Sequence, residues 1–392
     1  MSKKKVVFRA TVDNFSGYGS ISRSLILAFY KKYKDSYDIA LQNLQWLTAG
    51  DIELPSEDRE ILDTLRRKEF PPEESILIHM SIPIEFQWPH NYKKYFGFTM
   101  LETDKITPTW TYILNRLDGC IVPTPFNVKT FMESGVKVPI TIIPFGVDFD
   151  MYTLNKEPLL SKEEIPTKFN FLNIGQWTPG DRKNISQTIL SFLKTFRTNK
   201  DVGLILKVYG KGAGTIDKIQ CIEKVNAIRN HSGLFRKMFS ELNFDDGPKI
   251  YLVHGALTTE DIARLYHNAD VFILPSSGEA FGMPIVEAIA SGLPIITTGG
   301  TAPDTYLNPE KTVILNYKWV PLRQELFWQY VYEPGMNMIE PDWKEFERVM
   351  VRSYEKQSLA KDRALEQRQE LIDRKLTWNI SVEKLALFLD NI

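Results

Sequence analysis

Two doubly wound α/β domains, each built on a parallel sheet, are predicted by three features of this sequence. Short runs rich in β-branched and aromatic residues alternate with longer helical patterns, the mark of βαβ units whose sheets are covered on both faces. These runs fall into two series separated by a polar, proline-bearing stretch. The chain is also 392 residues long, more than one ordinary core holds, so two domains of roughly 150–200 residues are expected.

The first series comprises strands at Lys5–Thr11, Tyr37–Leu41, Ser75–Met80, Tyr95–Met100, Gly119–Val122 and Ile140–Pro144. Asp148–Lys168 then reads as a linker, dividing residues 1–160 from residues 161–380. The second series has strands at Phe169–Gly175, Gly203–Gly210, Lys249–Val253, Val271–Pro275, Pro294–Thr298 and Thr312–Leu315. Beyond Tyr317 the parallel pattern dissolves into an aromatic-rich segment, followed by two helical patterns. The aromatic residues between Trp319 and Trp343 are expected to pack an interdomain surface, and the charged run Lys361–Lys375 to be the wet face of a helix.

Ligands of open parallel sheets bind beyond the carboxyl ends of the strands, and four post-strand loops are unusual. In "NFSGYGSIS" Gly17 and Gly19 allow close backbone approach just ahead of a helix. In "QWTPGDRKN" the adjacent Arg182 and Lys183 end a loop and open a helix, an arrangement able to clamp a diphosphate. "YGKGAGT", with Gly210, is glycine-rich but lacks the spacing of a P-loop. "SSGEAFGMPIVEAIASG" sets Glu279 in a loop and predicts a helix from about Met283 through Ala290, opened by Pro284 and stopped at Gly292. The N–H groups of Phe281, Gly282 and Met283 form a ready anion site there, and Glu287 falls in the first turn or just beyond.

Composition narrows the function classes. The chain is 43% hydrophobic and 25% charged, and 48 basic residues against 49 acidic ones give a formal net charge of −1. No global field therefore recruits nucleic acid or an anionic membrane. The N-terminal stretch is too polar for a signal peptide, and no run approaches the ~18–20 apolar residues of a membrane span. With Cys120 and Cys221 as the only cysteines, no disulfide framework is expected and a reducing cytoplasm is the natural setting. The "NIS" triplets at Asn184 and Asn379 then carry little weight as glycosylation signals.

The spacing Glu279-x7-Glu287, followed by "AIASGLPIITT", resembles the donor-site signature of family 4 retaining glycosyltransferases of GT-B fold. Glu102–Asp148, Gln176–Asn184 and Ala263–Ser276 are similar to that family in the same order. The resemblance implies two Rossmann-like domains facing each other across a cleft, with the last helix, about 381–392, packing back on the N-terminal one. It implies metal-independent transfer from a nucleotide-diphosphate sugar, with no cofactor, to a hydroxyl on a glycan, lipid, protein or modified nucleic acid. Glu279 would bind the transferred sugar, the N–H groups of Phe281, Gly282 and Met283 would cover sugar and distal phosphate, and Glu287 would hold the ribose. Lys183 with Arg182 would neutralise the leaving diphosphate, Gly17, Gly19 and Gly210 would shape the phosphate pocket, and Leu257 would contact the base. Departures are visible too. Gln176 stands near where many relatives carry an arginine, Ala280 replaces a frequent glycine, and "FGFTMLETD" lacks the histidine common after the fourth strand. Glu102 or Asp104 would then serve the acceptor side, or that function is absent; His79, ending a strand, is a further candidate for the cleft wall, with a satisfied core histidine the favoured alternative. An epimerase or hydrolase on the same fold, and a non-catalytic nucleotide-sugar binder, are the rival readings.

The string Asp148-Phe-Asp150 matches the D-x-D of metal-dependent glycosyltransferases but sits at the domain junction, and the five histidines show no ligand spacing. No metal ligand is expected from either.

Overall fold

The computed structural model describes residues 3–45, 52–87, 89–231 and 247–392. Its first half runs β1 (Lys4–Ala10), α1 (Gly17–Tyr33), β2 (Tyr37–Asn43), α2 (Ser56–Arg66), β3 (Ser75–Met80), β4 (Lys94–Phe98), α3 (Pro108–Leu114), β5 (Gly119–Val122), α4 (Pro125–Glu133) and β6 (Ile140–Ile142). The second half runs β7 (Phe169–Gln176), α5 (Ile185–Thr195), β8 (Val202–Tyr209), α6 (Thr215–His231), β9 (Lys249–His254), α7 (Thr259–Tyr266), β10 (Val271–Leu274), α8 (Met283–Ala290), β11 (Ile295–Thr298) and β12 (Val313–Leu315). Each half folds into one six-stranded sheet, ordered β2-β1-β3-β4-β5-β6 and β12-β11-β10-β7-β8-β9. Every pair within them is parallel. All the strands read from the sequence are present. β6 stops short of the expected Pro144 because a proline has no N–H to extend a ladder.

Both faces of each sheet are dry, as parallel sheets require. On the first, Val6, Phe8 and Ile78 pack with Leu25, Ile26 and Phe29 of α1, while Val7, Leu77 and Tyr95 pack with Trp110, Leu114 and Phe131 on the other face. On the second, Phe171, Leu204 and Leu206 meet Ile189 and Phe192 of α5. The opposite face, with Leu172, Phe272 and α8, is continuous with the core around α1. Phe145 against Phe281, ring centroids 5.1 Å apart, joins the two halves.

Two later segments cross from the second half to the first. After α9 (Trp343–Glu355) and α10 (Gln357–Asp373), helix α11 (Trp378–Asp390) lies on α1. Its Val382, Leu385 and Leu389 are fully buried, Glu383 pairs with Lys32 at 2.5 Å and Asp390 accepts from the Tyr37 hydroxyl. The start of this helix is possible because Gly146 has no side chain: a Cβ there would sit 2.1 Å from the Trp378 nitrogen.

The aromatic segment forms an antiparallel hairpin, β13 (Tyr317–Pro321) with β14 (Asn337–Pro341). Leu322, Leu326, Val331, Met336 and Met338 share a core with Leu101, Ile106 and Trp110 of the first half. The expectation that the aromatics themselves pack this surface is corrected for most of them. Tyr317, Trp319, Phe327, Trp328 and Tyr330 are 40–52% exposed, because aliphatic and methionine side chains occupy the inward positions. On α10, Ala364, Gln367 and Leu371 are buried and most of the charged residues are exposed. The linker is fastened rather than free: Arg264 donates to the Glu157 and Pro158 carbonyls, and Asn268 bonds Leu160 twice. Among the described residues no helix is long and apolar enough to cross a membrane.

Candidate functional site

The loop after β10 places Glu279 inside the molecule. Its side chain is 7% exposed, its N–H donates to Thr301 Oγ1 at 3.2 Å and its carbonyl accepts from the Ala302 N–H. Gly282 then caps α8 with φ of +86°, a conformation that costs a residue bearing Cβ and costs glycine nothing. Phe281 is fixed by the Tyr306 hydroxyl, which donates to its carbonyl at 2.6 Å. Phe281 and Gly282 lie just ahead of α8, and the Met283 N–H in its first turn is a donor that a helix start leaves without an intrahelical partner. Glu287 lies beyond that first turn, half-buried, and accepts from the Tyr266 hydroxyl at 2.9 Å. Burial pushes its carboxyl up to about 7, against the hydrogen bonds from Tyr266 and Tyr152. Expected as a loop acid and a helix acid, the pair is thus one buried carboxylate and one held by two tyrosines.

The loop after β7 presents the two cations through local strain. Asp181 and Asn184 have φ of +43° and +54°, uncommon for residues with side chains and a mark of geometry imposed by surroundings. Asp181 caps α5 by accepting from the N–H groups of Ile185 and Ser186 at 2.9 and 2.7 Å. Asn184 donates to the Pro275 carbonyl and accepts from Arg323 at 2.9 Å. Lys183, its stem lying against Gly175, forms a 2.5 Å ion pair with Glu279. Burial holds its ammonium below the ordinary lysine value, the Glu279 charge opposing and the Arg182 charge reinforcing that shift.

Arg182 turns toward the other half of the molecule. It pairs with Glu102, whose side chain is 10% exposed, and Glu102 also accepts from the Tyr332 hydroxyl at 2.7 Å. Burial works against the Arg182 cation, and the charges of Glu102, Tyr332 and Glu279 outweigh it, holding its pKa above the usual range. Backbone meets backbone beside this pair: a Cβ on Gly278, φ +146°, would lie 2.7 Å from the Glu102 carbonyl oxygen. Asp104 is engaged as well, its two oxygens accepting from the Asn337 N–H and Nδ2, each at 2.7 Å. His79 is not on the cleft wall. It is 1% exposed, its Nδ1 lies 2.6 Å from the Tyr95 hydroxyl, and burial pushes it down to about 3, so it belongs to the core.

The loop after β1 reaches the second half through Phe15, whose ring meets Tyr209 at 4.8 Å. Gly17 has open space where a Cβ would be, whereas a Cβ on Gly19 would collide with Asn14. The Gly19 N–H is already bonded to Ser16 Oγ, so Gly19 serves packing and capping. Gly210 is the tight corner after β8, donating to Asp217 and accepting from Gln176 Nε2. Gln176 thereby ties β7 to β8. Leu257 is half-buried after β9, against the shared core. Beside this corner Asp217, Cys221 and His254 bring potential ligand atoms within 4.8 Å of one another. The Asp217 carboxylate, however, already takes the N–H groups of Gly210 and Lys211 and lies 2.8 Å from His254 Nε2, which makes it the anchor of the loop. Asp148 likewise accepts from the N–H groups of Asp150 and Met151, the bonding of a turn.

Sequence reasoning did not find Tyr332, Arg323, Tyr266, Tyr152 or Gly278. Of the loop-shaping residues, Asp181 alone carried a readable signal, an acid just ahead of a helix.

The family of glycosyl transferases group 1 matches residues 246–318. "Uncharacterized protein 356" of Sulfolobus islandicus rod-shaped virus 1 is 27% identical over 238 residues, 58% of each chain. The serotype-specific mannosyltransferase WbdA of Escherichia coli is 32% identical over 127 residues, 32% of this chain and 13% of its own. The chain thus spans less than two thirds of the length of these curated relatives. Among solved structures, a sucrose-phosphate synthase from Thermosynechococcus elongatus superposes with a TM-score of 0.64 at 13% identity, covering 99% of both chains. HepE of Anabaena, solved in complex with UDP and glucose, gives 0.63 at 12% identity over 99% of this chain and 100% of its own. Residues 246–318 thus resemble the group 1 glycosyl transferases, and the chain as a whole, with its two six-stranded parallel sheets, shares the fold of these solved structures.

Proposed function

We propose that this protein transfers a sugar from a nucleotide-diphosphate sugar to an acceptor hydroxyl, with retention of configuration and without a metal ion. The observation that carries the reading is the convergence of Lys183, Arg182, Glu279 and the start of α8 at the carboxyl edge of the second sheet, against the first half of the molecule. Transfer from such a donor builds negative charge on the diphosphate while the sugar becomes oxocarbenium-like. Two half-buried cations and a helix N-terminus are placed to meet that charge where it grows, the kind of preorganised donors that stabilise such a transition state. Glu279 accepts hydroxyls of the sugar, and Glu287, steadied by Tyr266 and Tyr152, accepts those of the ribose. HepE, solved with UDP and glucose, supports a nucleotide donor of this kind.

The test is a screen of UDP-, GDP- and ADP-sugars without added metal, read by thermal shift and by mass spectrometry of released nucleotide. Saturation at ~100 times Kd stabilises a folded protein by about 2.7 kcal/mol, so one donor class is expected to raise the melting temperature and to be consumed with an acceptor. Lys183→Ala is expected to lower turnover by about 10²–10³. Full transfer by both Lys183→Ala and Glu279→Gln would overturn the assignment, and steady turnover of donor with no acceptor would favour a hydrolase or epimerase.

A further inference from the structure

Every charge in the cluster has a partner already. Lys183 is held by Glu279 and Arg182 by Glu102, so the site carries two cations and two carboxylates and no net positive charge. A diphosphate that takes the Arg182 Nη1 and its charge must compete for them with Glu102. The two residues come from opposite halves of the molecule, Glu102 from the loop after β4 and Arg182 from the loop after β7. The Tyr332 hydroxyl, carried on the hairpin side of the second half, holds the same carboxylate oxygen as Arg182.

We propose that Glu102 is a resident substitute for the donor's diphosphate, and that donor binding proceeds by an exchange of partners at Arg182. The inference rests on the nucleotide-sugar reading and deepens it. The Glu102 carboxylate takes the Arg182 Nη1, one corner of a guanidinium fork whose geometry phosphate oxygens match equally well. An incoming diphosphate takes over the fork, and Glu102 is released, still within reach of the Tyr332 hydroxyl, on the acceptor-facing half of the molecule. No bond is made or broken; the exchange is of hydrogen bonds and counter-charge. Two consequences follow. Apparent donor affinity is lowered by the fraction of molecules in which Arg182 is occupied by Glu102, and the released carboxylate becomes free to hold an acceptor hydroxyl only once the donor is seated. Glu102 is therefore a positioning residue that couples the two substrates.

Isothermal titration with UDP, GDP and ADP, on the full chain without metal, tests the exchange. Glu102→Gln keeps the shape but removes the competing charge, and the nucleotide bound by the parent is expected to bind at least ~10-fold more tightly. Tyr332→Phe loosens Glu102 while leaving both charges, so a smaller tightening in the same direction is expected; this second variant serves where Glu102→Gln folds poorly. Glu102→Asp, which restores the charge, is expected to return affinity toward the parent. In an Arg182→Ala background the effect of Glu102→Gln is expected to vanish, since the coupling runs through that guanidinium. A purely structural role for Glu102 predicts weaker or unchanged binding in Glu102→Gln and Tyr332→Phe, and either result overturns the exchange while leaving the donor reading intact. If the parent binds none of the three nucleotides, the donor reading falls and the exchange falls with it.

Discussion

Gly278 offers the sharpest mechanical test of how the two halves meet. Its φ of +146° lies where side-chain-bearing residues are strained, and its missing Cβ would stand 2.7 Å from the Glu102 carbonyl oxygen and 3.2 Å from the Glu102 Cβ. Gly278→Ala therefore meets two costs. Holding a residue with Cβ in so sparsely populated a region costs about 1–3 kcal/mol. The contact is with backbone, which cannot swing aside as a long side chain would, and overpacking of this kind costs about 1–3 kcal/mol more. A loss of about 4 kcal/mol is the central expectation, equivalent to ~8–16 °C in melting temperature for a domain of about 150–250 residues. The natural control is Gly212→Ala, because nothing lies within 4 Å of a Cβ built there. Thermal and urea unfolding of the two variants beside the parent supply the comparison. If Gly278→Ala unfolds within about 0.5 kcal/mol of Gly212→Ala, the range expected of an inconsequential surface change, the close approach of the Gly278 and Glu102 backbones is not what the structure holds.

Glu287 predicts a pH dependence with a definite sign. Its folded-state value is raised from the ordinary 4.5 to about 7, so the folded state binds this proton more tightly than the unfolded one. The stability it contributes is fully present below pH 4.5, falls as pH rises through the window from 4.5 to about 7, and is flat above it. At ~1.36 kcal/mol per unit the fall is at most about 3 kcal/mol, and Glu287→Gln is expected to remove it, as seen in the difference between variant and parent unfolding free energies across that window. An unchanged pH profile in Glu287→Gln would show that the group is not held protonated. Gly146→Ala should drive α11 from the first sheet, since its Cβ would overlap the Thr377–Trp378 backbone at 2.1–2.2 Å. Faster hydrogen exchange in Trp378–Asp390, with β7 and β8 unaffected, is the expected result, and protection equal to the parent would refute it.

The strands were legible because a parallel sheet covered on both faces leaves short, nearly continuous apolar runs, and each run here is bounded by glycine, proline or polar residues. The direction of Asp104 was not legible: its partner Asn337 lies 233 positions away in a hairpin that breaks the alternating pattern. The same holds for Glu102, where sequence spacing says nothing about a guanidinium on the other sheet. Gly17 and Gly19 were both read as allowing close approach, yet Gly17 has open space where a Cβ would be. Gly19 makes room for Asn14, and Gly278, which sequence reasoning did not find, makes room for Glu102, so in both cases the close neighbour is protein. Burial was the other hidden variable. Glu279 and His79 are both nearly inaccessible, yet one sits in a charged cluster and the other among rings.

The return of α11 onto α1 bears on how the molecule is made. The ribosome delivers β1, α1 and β2 early, but the helix that covers Leu25 and Phe29 of α1 begins only at Trp378. The ~300 residues between Arg66 and Trp378 take about 15–60 s to synthesise at about 5–20 residues per second. During that interval the stripe of α1 that α11 covers stays open, while the strands of the second sheet are completed. Of the two sheets, the one translated earlier is thus the one sealed later, and a chaperone that binds nascent chains would find its footing on α1.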